Sequence, residues 1–209
     1  MFTGLIKEIA SATLRGDRLQ VKASYRPKAG DSVAVNGACL TVAALDYGGF
    51  RADLSYETQR SIAVENLNGK AHIEPAMIMG DRFEGHIAQG HIDFIGSVAA
   101  IEKEGDSWNF FIDAPKEAMR LIAPKGSIGI DGVSLTINEV FDSAFRLTLV
   151  PHSLANTLFE SYKVNRRVNI ETDLFARYAA RILDCSSAER GENVLQRRRR
   201  EIDRMSAIF

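Results

Sequence analysis

The residue types best suited to chemistry are concentrated in EGHIAQGHID, Glu84 to Asp93, which carries His86 and His91. Histidine is the side chain that titrates near neutrality, so one of the two is a candidate proton shuttle. The plainer alternative, which spacing alone favours, makes one a hydrogen-bonded structural residue and leaves the other exposed. Five positions apart on a strand would put the rings on opposite faces. No HExxH or paired-cysteine spacing accompanies them, so no metal site is expected. A second set lies in two similar phrases, NGACLT (Asn36 to Thr41) and DGVSLT (Asp131 to Thr136). Cys39 is either a small buried side chain or a thiolate activated by polar neighbours. Ser134 and Thr136, at the matching place, are either ordinary strand residues or its functional counterparts. Asn36 and Asp131 read as turn formers. Lys125 is a solvated loop residue unless it reaches a pocket, and Asp173 is a helix cap, a pocket acid, or both.

The elements that position these residues come in two copies. GDSVAVNGACLTV (Gly30 to Val42) aligns with GSIGIDGVSLTI (Gly126 to Ile137). LSYETQR (Leu54 to Arg60) then falls on LVPHSLA (Leu149 to Ala155), and AHIE, ending at Glu74, on VNIE, ending at Glu171. Upstream, MFTGLIKEI (Met1 to Ile9) lies over GHIDFIGSV (Gly90 to Val98). Matches kept in order, with small drifts in spacing, indicate a duplicated domain of roughly 90 residues. Two similar pockets would suit a reaction between two molecules of one compound. The copies differ at Cys39 against Ser134, Glu57 against His152 and Phe2 against His91, where asymmetric chemistry would need them to differ.

Each copy has a β pattern. SVAV and CLTVAAL flank Asn-Gly, and SIGI and SLTINEV flank Asp-Gly, the turn pairs that favour two-residue hairpins. FRADLSY, AHIEPAM, HIDFIGSV, WNFFIDA and FRLTLVP are further strand candidates, and SIAVEN and PKEAMRLI short helices. Short strands between turn signals, in two blocks, predict two small antiparallel barrels. From Leu174 the period becomes helical: Leu174, Tyr178 and Ile182 share one face, with Asp173 placed to cap it.

The chain has 209 residues, 45% hydrophobic and 25% charged, with net charge -1, the balance of a soluble globular protein. Near-neutral charge argues against nucleic acid as partner, and the basic run QRRRRE in the tail reads as solvated. The N-terminus lacks a signal-peptide pattern, and no apolar run approaches membrane-spanning length. Two cysteines, Cys39 and Cys185, make no disulfide framework, so a cytoplasmic location is expected.

MFTGLI, NGACLTV, YET, GDR with GHIAQGHID, GSIGIDGVSLTI and VPHSLANT, in that order, resemble riboflavin synthases of the α-subunit type, from Met1 to about Asp173. The resemblance implies an all-β protein with a C-terminal helix: two tandem six-stranded antiparallel Greek-key barrels, residues 1–88 and 89–173. Residues 174–209 would form a helix and polar tail serving a homotrimer. It implies dismutation of two molecules of 6,7-dimethyl-8-ribityllumazine, with four-carbon transfer, to riboflavin and 5-amino-6-(D-ribitylamino)uracil, without metal or cofactor. A first-barrel pocket would use Gly4, Leu5, Ile6, Ala38, Cys39, Leu40, and Asp53, Leu54, Ser55, Tyr56, Glu57, Thr58. A second would use Gly90, His91, Ile92, Lys125, Ser134, Leu135, Thr136, and Leu149, Val150, Pro151, His152, Ser153, Leu154. His91 would be the proton shuttle, with Cys39, Ser134, Thr136 and Asp173 around the reacting rings and Phe2 placing the N-terminal segment. The sequence departs from the family pattern at Glu84 and at QRSIAVENL after Thr58. The alternative is a non-catalytic lumazine- or flavin-binding protein of the same fold; the polar set present in both halves favours the enzyme.

Overall fold

The computed structural model describes residues 1–191, with side chains to residue 186. The basic run in the tail lies outside the described residues. Met1 to Leu174 form one compact unit, and the helix that follows belongs to a second.

The first unit contains two closed barrels. One is built from β1 (Glu8–Arg15), β2 (Arg18–Lys22), β3 (Ser32–Val35), β4 (Ala38–Asp46), β5 (Gly49–Asp53) and β6 (Gly69–Pro75). The other comprises β7 (Phe94–Glu104), β8 (Ser107–Asp113), β9 (Ser127–Ile130), β10 (Val133–Val140), β11 (Ala144–Leu149) and β12 (Arg167–Thr172). Around the first barrel the order is β1-β2-β5-β4-β3-β6; the second repeats it with every label advanced by one barrel. All pairings are antiparallel, and non-sequential neighbours give the Greek-key arrangement. One irregularity is shared: β4 is bulged between Val42 and Ala44, β10 between Ile137 and Glu139; the bulge of β7 between Val98 and Ala100 has no counterpart in β1.

Alternation decides what lies inside. Leu19 and Val21 of β2, and Leu40 and Val42 of β4, point into one core with Phe50. Phe110 and Ile112 of β8, and Phe145, Leu147 and Leu149 of β11, fill the other. Side chains therefore pack both interiors, and ligands must bind at the barrel ends or rims.

Turn chemistry trims the strands expected from sequence. FRADLSY stays extended only to Asp53: the Ser55 hydroxyl accepts Thr58 N–H at 3.0 Å and starts α1 (Tyr56–Ser61). FRLTLVP ends at Leu149 because Pro151 opens α3 (Pro151–Ala155). PKEAMRLI contains α2 (Lys116–Met119). SIAVEN is not one helix: it straddles the end of α1 and a 3-10 turn, Val64–Leu67. The β1–β2 hairpin is missing from the sequence-based strand assignments, since Ala10 and Ala12 on its inner face give a weak alternation signal. The helix from Leu174 is present as α4 (Leu174–Gly191), with Phe175, Tyr178, Ile182 and Leu183 exposed. No described helix is long and apolar enough to cross a membrane.

Asn36 and Asp131 do more than turn the chain. Both have positive φ, 44° and 45°, as the hairpin turns require, and both are fully buried. The two turns meet back to back: a Cβ on Gly37 would sit 2.6 Å from Gly132 N, and one on Gly132 2.7 Å from Gly37 N. Around this contact the bonds repeat with two-fold logic. His72 N–H donates to Asn36 Oδ1, and Asn169 N–H to Asp131 Oδ1. His72 Nδ1 lies 2.9 Å from the Asp131 carbonyl, while Asn169 Nδ2 donates to the Asn36 carbonyl. Leu158 N–H donates to His72 Nε2, and Ala63 N–H to Asn169 Oδ1. The barrels are thus joined by a buried polar knot whose members come from both repeats.

The knot is asymmetric where Asp131 replaces Asn. Burial pushes its carboxyl pKa up, opposed by hydrogen bonds from Tyr162 and Asn169 and by Arg166, 3.6 Å away. Removing such a carboxylate strands its partners. Asp131→Ala is expected to cost about 3–5 kcal/mol in urea unfolding, and Asp131→Asn, the residue of the other turn, markedly less.

His72 is held neutral, with Nδ1 protonated and Nε2 accepting. Burial lowers its pKa from 6.5 to about 4. The folded state therefore resists a proton that the unfolded chain accepts. This stability is fully present above about pH 6.5 and is lost as pH falls toward 4, a change of roughly 3 kcal/mol. Glu74 and Asp131 are shifted upward and act in the opposite sense. The expected result is therefore a difference: His72→Asn, matching Asn169, should flatten the stability profile between pH 6.5 and 4 relative to the parent.

Candidate functional site

Two short straps carry the site. Thr3 and Gly4 are gripped by Glu74: its carboxylate accepts Thr3 N–H at 2.7 Å, the Thr3 hydroxyl at 2.9 Å and Gly4 N–H at 3.0 Å. Gln89 and Gly90 are gripped in the same way by Glu171, at 2.6 and 3.0 Å. Each strap then reaches the opposite barrel. Gly4 O accepts Ser134 N–H at 2.8 Å, and Gly90 O accepts Cys39 N–H at 2.8 Å. Ile6 packs on the second core and Ile92 on the first.

This crossing corrects two expectations from sequence. Gly4, Leu5 and Ile6 belong with Ser134 rather than with Cys39, and Gly90, His91 and Ile92 belong with Cys39 rather than with Ser134. The repeat register at the straps also changes: Thr3-Gly4 is equivalent to Gln89-Gly90, so the counterpart of His91 is Leu5, not Phe2. Similar letters set the alignment by sequence, whereas hydrogen-bond roles set it in three dimensions.

The first half-site is a cavity of about 230 Å³ lined by Ala38, Cys39, Ser55, Glu57, Thr58, Ser61, Ile62, Gly90, His91 and Ile92. Cys39 is half-buried and His91 exposed. Behind Cys39, Phe2 is almost fully buried with Ala34 and Ala88, and a two-way backbone bridge ties Phe2 to Ala88. Phe2 therefore shapes this site from the rear. Ser55 and Thr58, at the start of α1, present hydroxyls 2.9 Å apart. Tyr56 is exposed and Asp53 lies at the end of β5.

The second half-site gathers around Ser134 on β10. His86 is buried, and its Nδ1 lies 2.7 Å from Ser134 Oγ. Burial lowers the His86 pKa, while the charge of Asp173 opposes that shift. Thr136 is exposed two residues along the strand. Lys125 is exposed with φ 68°, its N–H bound to the Ile137 carbonyl. Val150, Pro151 and His152 are exposed at α3, and Ser153 is partly so. The stretch around His86 and His91 is no strand; Gly85 and Gly90 both have positive φ. The two rings are separated by assignment to different half-sites, not by strand alternation.

Some expected contacts turn inward. Leu40, Leu54, Leu149 and Leu154 are buried in barrel cores, and Leu135 packs against the second. Their backbones, not their side chains, are available to a ligand. Glu74, Glu171 and the His86–Ser134 pairing were missed by sequence reasoning. The one available signal was that AHIE and VNIE end in matched glutamates. Among the described residues, no cluster of three or more His, Cys, Asp or Glu is placed to hold a metal ion.

Tandem barrels whose straps exchange partners define a double-barrel protein of the lumazine-binding class: residues 3–74 and 89–173 each match the lumazine binding domain. A riboflavin synthase of Photobacterium phosphoreum is 38% identical, the alignment covering 88% of this chain and 89% of that one. Those of Photobacterium leiognathi and Bacillus subtilis are 35% and 34% identical, covering 93% and 88% of this chain and 95% and 90% of theirs. The chain belongs to the riboflavin synthase family. Among solved structures, LumP complexed with riboflavin superposes with a TM-score of 0.73 at 22% identity, covering 82% of this chain and 99% of LumP. At that identity the likeness speaks for fold alone.

Proposed function

We propose that this chain is a riboflavin synthase. It converts two molecules of 6,7-dimethyl-8-ribityllumazine into riboflavin and 5-amino-6-(D-ribitylamino)uracil by transfer of a four-carbon unit. The observation that carries this reading is the match to synthases along nearly the whole chain, with a polar set in each half-site. Two lumazines contain all the atoms of the two products, so the reaction needs no oxidant or reductant.

The lumazine C7 methyl is a carbon acid whose anion delocalises into the ring. A base must take that proton, and a nucleophile must add to the other ring. Holding two rings face to face removes much of the entropic barrier. In this reading His91, exposed at the Cys39 cavity, shuttles the proton, and Cys39, Ser134, Thr136 and Asp173 surround the reacting rings. Lys125 and the Ser55–Thr58 and Val150–Ser153 segments hold the ligands. The exposed apolar residues of α4 support assembly of a homotrimer in which half-sites of neighbouring subunits meet. A cytoplasmic location is part of the same reading.

The test is direct. Purified protein mixed with 6,7-dimethyl-8-ribityllumazine alone is expected to produce riboflavin steadily, followed by its absorbance. Tight lumazine binding without product would move the chain to the non-catalytic binders of this fold.

A further inference from the structure

His86 stands outside the roles assigned so far. It is 6% exposed, it lies 2.7 Å from Ser134 Oγ through Nδ1, and its buried Nε2 has no hydrogen-bond partner among the described residues. Its backbone is fixed as well, because His86 N–H donates to the Thr3 carbonyl. Ser134 is therefore held twice, by Gly4 O at its backbone and by His86 at its hydroxyl. Among the described residues, the equivalent Cys39 shares the backbone bond, to Gly90 O, but has no counterpart of the His86 contact at its side chain.

We propose that His86 is the positioning residue for Ser134, orienting its hydroxyl as a hydrogen-bond donor toward the bound heterocycle. The two neutral tautomers differ in what they leave unpaired. Were the proton on Nε2, the ring would bury an N–H with no acceptor. With the proton on Nδ1, it buries only a lone pair. Orphaned buried N–H groups are the rarer and costlier of the two. Nδ1–H therefore donates to Ser134 Oγ, and the serine O–H is free to turn toward the ligand. A donor at that point stabilises an acceptor atom of the ring, most strongly when loss of a C7-methyl proton makes the ring anionic. This assigns Ser134 the part of a donor rather than of a nucleophile. The charge of Asp173 also reaches His86 and opposes the effect of burial on its pKa.

The inference rests on the proposed synthase reaction, and parent turnover is the control that separates the two. Saturating kcat and lumazine Kd would be measured for His86→Leu, His86→Asn, His86→Gln, Ser134→Ala and the His86→Leu/Ser134→Ala pair. Asn can place an amide N–H near Nδ1; Gln places one near Nε2. His86→Leu is expected to lower kcat about tenfold or more, and Asn to restore most of the loss where Gln does not. In the Ser134→Ala background, His86→Leu should change kcat less than about twofold, because the two residues act as one unit. Additive losses, or Asn no better than Gln, would overturn the inference while leaving the synthase reading intact if the parent turns over. Should the Leu variant fail to fold by circular dichroism, the Asn and Gln contrast alone decides.

Discussion

His91→Ala is expected to lower riboflavin production by ~100-fold or more while lumazine affinity changes by only a few-fold. The expectation follows from position and chemistry together. His91 lines the cavity that also holds Cys39, Glu57 and Thr58, and it is exposed, so a bound ring can reach it. Its backbone is anchored from one side by Gly90, whose N–H is held by Glu171 and whose carbonyl holds Cys39 N–H. Removing the imidazole thus deletes a proton acceptor from a strap that the remaining bonds keep in place. A proton-transfer role separates turnover from binding. Equal losses in steady-state kinetics and in lumazine titration would instead make His91 a ligand contact, and the base would have to be sought elsewhere in the same cavity.

Gly90→Ala should be comparably damaging for a different reason. Gly90 has φ 75°, a left-handed conformation that costs a side chain about 1–3 kcal/mol. A Cβ there would also meet Cys39 Cβ at 2.6 Å and Cys39 N at 2.8 Å. The strap cannot retreat without giving up its bonds to Glu171 and to Cys39. A displacement of about 1 Å in a reacting site can cost ~100-fold in rate, and a loss of that order is expected, with weaker lumazine binding. Gly16→Ala is the control: its φ is 64°, but nothing lies within 4 Å of the added methyl. It should lower stability modestly and leave turnover unchanged. If both alanine variants behave alike, backbone strain rather than the close approach to Cys39 is the cause. Gly4→Ala tests the mirror contact, since its Cβ would meet Ser134 Cβ at 2.6 Å.

Much of this architecture is written locally. The hairpins around Asn36-Gly37 and Asp131-Gly132 are legible because an Asx-Gly pair between alternating apolar residues suits a two-residue turn, wherever it sits in the chain. The duplication is legible because it is a property of the letters, and from it follow two barrels of equal topology. The start of α4 at Leu174 follows from helical period alone. Cys39, Ser134 and Thr136 were found because they occupy matched positions of the repeat.

What the sequence left open is what depends on contacts between distant residues. Asn36 and Asp131 looked like turn residues because their local role explains them. Their burial between the barrels arises only when His72 and Asn169 close around them. The straps could not be assigned to barrels from order in the chain, since each lies next in sequence to one barrel and bonds to the other. Nor could spacing separate His86 from His91. A helix or strand period says which face a residue takes, but the Glu84–Asp93 segment has neither. Its two histidines part because Thr3 and Ser134 capture one, and the Cys39 cavity the other. The sequence by itself determined the repeat, the turns and the residue types of the site. The tertiary structure decided which repeat each strap serves, because hydrogen bonds across some 50 to 130 residues leave no periodic trace in the chain.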